Sequence, residues 1–266
     1  MIDTGLVHSD SLMQRGDPER EIRAYYRALF GAWGNQHWWP ARTRFEVVAG
    51  AYLTQNTSWK NVELALNNLR KNRALSLAAV RAISLRDLEQ LIRPAGYFRQ
   101  KAARLKTFVA FVDACYGGSL QRMFRQPTET LRRELLALHG VGPETADSIL
   151  LYAGQHPIFV VDAYTRRIVD RHGILPANSP YDEIRVLFER ALSSLAEDDI
   201  TANKTPGPNL KHAAHPHEAS PMSRMRRSPL AQRFNDMHGL IVGVGKLYCR
   251  KAEPSCENCP LRRFLS

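Results

Sequence analysis

The sequence predicts an all-α protein built from two domains. Two observations carry this: apolar residues recur at three- and four-residue spacing along most of the chain, and no stretch keeps a two-residue alternation over a strand length. Proline and glycine interrupt the periodic runs at helix-sized intervals. The 266 residues, 44% of them apolar, suffice for one large domain or two modest ones, and a charged fraction of 24% excludes wholesale disorder. No apolar run approaches the ~18–20 residues needed to cross a bilayer.

Residues 1–17 read as a flexible leader, with early acids and no apolar core. That is not the pattern of a secretory signal, and it predicts a cytoplasmic protein, nucleoid-associated in a prokaryote. From Pro18 the run EREIRAYYRALFGAW predicts a helix, and Gly31–Pro40 a loop holding three of the four tryptophans. Helical periodicity resumes in RFEVVAGAYLTQ, breaks at Asn56-Thr57-Ser58 and continues in WKNVELALNNLRK. Segments 75–82, 85–92 and 99–116 follow, the last two parted by Pro94 and Gly96. Pro127-Thr128 then opens TETLRRELLAL, with Thr128 as its cap, and 163–172 is helical as well. The β-rich Ile158-Phe159-Val160-Val161 stands isolated.

Residues 200–228 differ in kind. Proline, serine, histidine and five Lys/Arg against one acid replace the apolar periodicity, so the segment is expected to be a disordered basic insertion. It reads as a solvated linker or as a basic arm against a phosphate backbone, and its His212, His215 and His217 as incidental. The net charge of +11 favours a polyanionic partner, nucleic acid or a membrane surface. Four cysteines are too few for a disulfide scaffold, and Cys249, Cys256 and Cys259 crowd into the last eighteen residues, which reads as metal ligation.

The most informative stretch is LLALHGVGPETADSILL, residues 135–151. Two helices flank the turn Leu138-His139-Gly140-Val141-Gly142, whose glycines permit a backbone that points successive N–H groups out at the next helix start. A phosphate oxygen fits there. Leu138, Val141 and Ala146 are the apolar positions that lock the two helices. Twenty residues beyond Gly142, Asp162 ends an apolar run and precedes a helix, where it reads as an N-cap. A carboxylate so held can remain ionised and stabilise positive charge developing on a sugar.

LHGVGPETADSILLYA, followed by a short loop and VDAYTRRI, resembles the helix-hairpin-helix (HhH-GPD) DNA glycosylase superfamily that includes endonuclease III. The resemblance runs from about residue 20 to the end, apart from 200–228. It implies a two-domain fold: a six-helix domain over 36–154 with the hairpin at 138–143, and a second domain from 18–35 plus 155–266 carrying the cysteine loop 249–259. It implies double-stranded DNA with a damaged base as the partner, a monomeric enzyme, and Asp162 as the catalytic carboxylate. Hairpin residues His139, Gly140, Val141, Gly142 and Thr145 would contact DNA. GAYLTQNTSW matches the segment whose glutamine, here Gln55, enters the stack when the target base leaves.

Endonuclease III carries its Schiff-base lysine two residues after the second hairpin glycine; Glu144 stands there in this chain. A carboxylate forms no imine, which implies a monofunctional glycosylase unless another lysine substitutes. The arrangement WWP…LTQNT and the segments IRPAGYFRQKAARL, YDEIRVLFERAL and MHGLIV are similar to the endonuclease-III-like 3-methyladenine DNA glycosylases. This implies an alkylated purine as substrate, with Trp38, Trp39 and Trp59 forming an aromatic base pocket, although tryptophans also fill cores. Cys249-x6-Cys256-x2-Cys259 matches three quarters of the family's 4Fe-4S loop; the fourth position is Leu265. A three-thiolate cluster, a zinc site and a metal-free loop all remain open. Two other readings stay open: a bifunctional lyase acting on oxidised pyrimidines, and a non-catalytic DNA-binding module.

Overall fold

The computed structural model describes residues 17–195 and 219–265, and among these every regular element is helical. The elements are α1 (Pro18–Trp33), α2 (Arg44–Leu53), α3 (Trp59–Lys71), α4 (Leu77–Ala82), α5 (Leu85–Ile92), α6 (Phe98–Tyr116), α7 (Leu120–Met123), α8 (Thr128–Leu136), α9 (Pro143–Ser148), α10 (Ala163–Arg171), α11 (Tyr181–Ser193) and α12 (Pro229–Leu247). A π-helical turn, Ile149–Gly154, extends α9, and 3-10 turns occupy Arg93–Ala95, Cys256–Asn258 and Arg262–Phe264.

Local chemistry explains the boundaries. Asp17 caps α1 by accepting from the Glu19 N–H at 3.0 Å, Pro18 begins the helix, and Ile22, Tyr25, Tyr26 and Leu29 form its buried stripe. Thr43, Ser76, Ser84 and Ser228 cap α2, α4, α5 and α12 in the same way. Thr128 is not a cap: Pro127 occupies that position, and the Thr128 hydroxyl lies 2.9 Å from Nδ1 of His156 instead. Helix α1 also runs to Trp33, into the stretch expected to be a loop.

α2 packs on α3, α6, α9 and the π-helical turn, while α3 and α6 hold α5. In a second set, α1 packs on α11 and α12, and α10 on α12. α12 is buried along Phe234–Gly245 and also touches the π-helical turn, so it joins the two sets. Between them, Ile158–Val161 runs extended, its backbone satisfied by α11: Phe159 N–H donates to Glu189 at 2.9 Å and Val161 N–H to the Tyr181 hydroxyl at 3.2 Å. Phe159 stacks on Phe188 with ring centroids 4.5 Å apart. This apolar, side-chain-pinned segment delivers Asp162 to the head of α10.

Residues 219–228 correct the expectation of disorder. Met222 is buried, its N–H donates to the Ala41 carbonyl at 3.0 Å, and the Ser220 hydroxyl accepts from the Ala41 N–H at 3.2 Å. Arg227 donates to the carbonyls of Met222, Ser223 and Met225. One apolar anchor plus the unpaired backbone of the 39–41 loop suffices to order a polar segment. The remainder of the insertion, 200–218, and residues 1–16 of the leader lie outside the described residues.

Candidate active site

Asp162 sits at the N-cap of α10 with its side chain nearly enclosed. Oδ1 accepts from the Thr165 N–H at 2.8 Å and the Thr165 hydroxyl at 3.0 Å. Oδ2 lies 3.6 Å from Nε2 of His238 on α12. Burial pushes this carboxyl up, but His238 and the two Thr165 bonds outweigh it and hold the group below the usual carboxylate range. His238 is buried, its Nδ1 lies 2.5 Å from the Tyr152 hydroxyl, and Nε2 has no hydrogen bond of normal length. A chain Tyr152–His238–Asp162 therefore links the π-helical turn to the carboxylate across α12.

Aromatic rings continue that chain outward. Tyr152 packs on Trp39 with centroids 5.0 Å apart, and Trp39 meets Trp59 edge-on at 5.1 Å. Trp38 and Trp39 are buried, at 8% and 6% exposure, so their faces serve the core first; Trp59 is half-buried and its indole N–H donates to Glu63 at 2.9 Å. Trp38 lies over Gly239, where a Cβ would come within 3.0 Å of the tryptophan Cβ. Lys246, in the last turn of α12, places Nζ 5.8 Å from the Trp38 ring; burial lowers its pKa, while Glu63 and then Asp162 act to raise it.

The two helices α8 and α9 flank a tight turn at the expected position. Gly140 takes φ +79°, Val141 N–H donates to the Leu138 carbonyl at 3.1 Å, and Gly142 caps α9 with Pro143 at its first position. Val141 and Ala146 are buried and Leu138 half-buried, whereas His139 and Gly142 are exposed. Thr145 is buried and turned toward Gln55: the Gln55 amide donates to Thr145 Oγ1 at 2.9 Å and to the Gly140 carbonyl at 3.0 Å. Glu144, on the first turn of α9, is exposed, although protein crowds around its carboxyl. Lost solvation and then the charge of Asp162 push its carboxyl up to about 7.

Cys249 is buried, while Cys256 and Cys259 are half-buried in the C-terminal loop. Burial chiefly, then Cys249 and Cys256, push the Cys259 thiol up to about 11, against a lowering backbone bond at Leu261. Among the described residues no group of three His, Cys, Asp or Glu side chains could hold a metal ion, and Leu265 offers no donor. The loop offers a metal three thiols, from Cys249, Cys256 and Cys259, and no fourth cysteine. Guanidinium groups from α10 hold the loop: Arg171 donates to Cys249 Sγ at 3.3 Å and to the Arg250 and Lys251 carbonyls, and Arg167 to the carbonyls of Cys249 and Gly245. Cys115 is exposed at the end of α6, far along the chain from this loop.

Sequence reasoning missed His238, Tyr152 and Lys246. A lone histidine and a lone tyrosine on apolar helices carry no signal of their own, and their meeting with Asp162 is set only by how α12 crosses the π-helical turn.

Comparison with known proteins places this arrangement. The model of the HhH-GPD superfamily base excision DNA repair proteins matches residues 49–194. A Methanocaldococcus jannaschii protein named "Putative DNA repair glycosylase MJ1434" is 40% identical over 245 residues, 91% of this chain and 94% of that one. Endonuclease III of Thermotoga maritima is 27% identical, covering 82% of this chain and 80% of its own. Among solved structures, the H. pylori 3-methyladenine DNA glycosylase MagIII bound to 1,N6-ethenoadenine superposes with a TM-score of 0.67 at 26% identity, over 87% of this chain and 98% of that one. An endonuclease III–DNA complex shares the fold at 20% identity, with a TM-score of 0.63 over 93% and 94%. The chain is therefore a DNA glycosylase of the HhH-GPD base excision repair superfamily.

Proposed function

We propose that the protein hydrolyses the N-glycosidic bond of an alkylated purine flipped out of duplex DNA, as a monofunctional monomer that leaves an abasic site. The observation that carries this reading is the pairing of an enclosed, ionised Asp162 with a wall of aromatic rings and with Glu144 at the position of the lyase lysine. In this reading the flipped base lies in a cleft between the 36–154 domain and the second domain, with Trp59 and the edges of Trp38 and Trp39 at its wall. Gln55 fills the vacancy in the stack, which offsets the few kcal/mol of lost pairing and stacking. His139, Gly140, Val141, Gly142 and Thr145 carry the flanking phosphate on the hairpin side.

Chemistry follows from the charges. As the C1′–N bond breaks, its electron pair goes to the base, and a cationic N-alkylpurine departs neutral without needing a proton. Positive charge then develops on the sugar, where the Asp162 carboxylate stabilises it. Water adds to C1′ and releases a proton to solvent. Similarity to MagIII, a 3-methyladenine glycosylase, supports this substrate class.

A second reading, a bifunctional lyase, has one observation in its favour. Lys246 is a partly buried amine with a lowered pKa near Trp38 and within the field of Asp162. One experiment separates the two: duplexes carrying 3-methyladenine-type, 7-methylguanine or oxidised-pyrimidine lesions, each reaction split between hot alkali and no treatment. Breaks only after alkali, and only at alkylated purines, are expected. Breaks without alkali, with a borohydride-trapped adduct lost in Lys246→Met, overturn the monofunctional assignment.

A further inference from the structure

Gln55 is tied into one network with the hairpin and with Arg104 on α6. Its two amide protons go to the Gly140 carbonyl and Thr145 Oγ1, at 3.0 and 2.9 Å, and its Oε1 accepts from Arg104 Nη1 at 2.7 Å. Arg104 projects from the middle of α6 and lies on the hairpin itself: a Cβ on Gly140 would fall 2.0 Å from its Nε and 2.4 Å from its Cζ. That Nε is buried and makes no hydrogen bond. One turn earlier on α6, buried Lys101 donates to the Leu53 and Ala95 carbonyls, both at 2.8 Å, and so pins the end of α2 from which Gln55 emerges.

We infer that Arg104 is a positioning residue for base extrusion. It fixes the Gln55 side chain in one rotamer against the hairpin, so that phosphate gripping and stack filling act as one rigid unit. This rests on the reading of Gln55 as the stack-filling residue. A free glutamine side chain would lose rotamer freedom on insertion, whereas one bonded at every polar atom has lost it already. Gly140 serves the network twice: it takes the positive φ of the turn, and its missing Cβ is the space the guanidinium occupies. A charge-assisted bond at 2.7 Å is strong enough to hold this arrangement.

The test uses the full chain and a duplex bearing a tetrahydrofuran abasic analogue opposite 2-aminopurine, whose fluorescence reports filling of the gap, alongside base release from one lesion in duplex and in single-stranded form. Arg104→Met is expected to slow gap filling and duplex turnover roughly tenfold, and to leave single-strand turnover and thermal stability close to wild type. The double variant with Gln55→Ala should be no slower than Gln55→Ala alone. If Gln55→Ala itself fills the gap and turns over duplex like wild type, the stack-filling reading fails. If Gln55→Ala is impaired but Arg104→Met is unimpaired, or its cost adds fully in the double variant, the positioning role fails. A cost that is additive and grows less at high salt would make Arg104 a phosphate contact instead. Arg104→Lys, which keeps the charge but not the planar fork, should recover only part of the rate.

Discussion

Asp162 and Glu144 both stand at the first turn of a helix facing the same space, yet their surroundings drive them apart. Asp162 is the more enclosed, and burial alone would neutralise it. Two hydrogen bonds from Thr165, through its N–H and its hydroxyl, and the nearby His238 ring 3.6 Å away reverse that. At Glu144 lost solvation and then the charge of Asp162 outweigh the lowering influence of His238 and Arg166, and its carboxyl is raised to about 7. Two neighbouring carboxyls thus differ, one held ionised to lower pH than usual and the other titrating near neutrality. The difference teaches that hydrogen-bond donors, not exposure, decide which carboxylate keeps its charge.

The largest effect is expected where the comparison is sharpest. Asp162→Asn preserves shape and the Thr165 contacts but removes the anion, so base release should fall by roughly 10³-fold or more, while DNA binding stays within a few-fold of wild type. Single-turnover kinetics together with a binding isotherm check this, and normal turnover would end the assignment of Asp162. A smaller loss, about tenfold, is expected from His238→Gln. The sign of its pH effect is fixed: without His238 the Asp162 carboxyl titrates at higher pH, so the acid limb of the rate profile moves up in pH. A rate loss with an unmoved acid limb would mean that His238 supports only packing.

Much of this was legible in the residues, for definite reasons. The apolar stripe of the first helix and the cap at Asp162 depend on spacing and on neighbours within one turn, and the structure reproduces them. The turn at Gly140 was legible because only glycine suits φ +79°. Thr128 was misread because Pro127 took the capping position, and 219–228 because composition does not register that Met222 can find a buried seat. His238, 76 residues beyond Asp162, was invisible: no local pattern encodes a meeting made by two helices crossing. The cysteine loop was legible as a motif, but the part played by Arg167 and Arg171 depends on α10 lying beside it.

The smallest effect tests the other half of the comparison. Below pH 7 the Glu144 carboxyl holds its proton; above, it adds a second negative charge beside Asp162, which in the proposed reading lies close to the bound DNA. DNA affinity should therefore weaken a few-fold as the pH rises through about 7. Glu144→Gln should match wild type at pH below that point, bind more tightly above it, and remove the step. Stability carries the same sign. The folded state keeps a proton on Glu144 that the unfolded chain gives up near its ordinary value of 4.5, so stability declines from there up to about 7 and then levels off. Melting temperatures of wild type and Glu144→Gln should converge at the acid end of that window and separate above it. A variant that loses turnover at every pH while its affinity is unchanged would break the comparison, because it would make Glu144 a participant in the reaction rather than a titrating neighbour of Asp162.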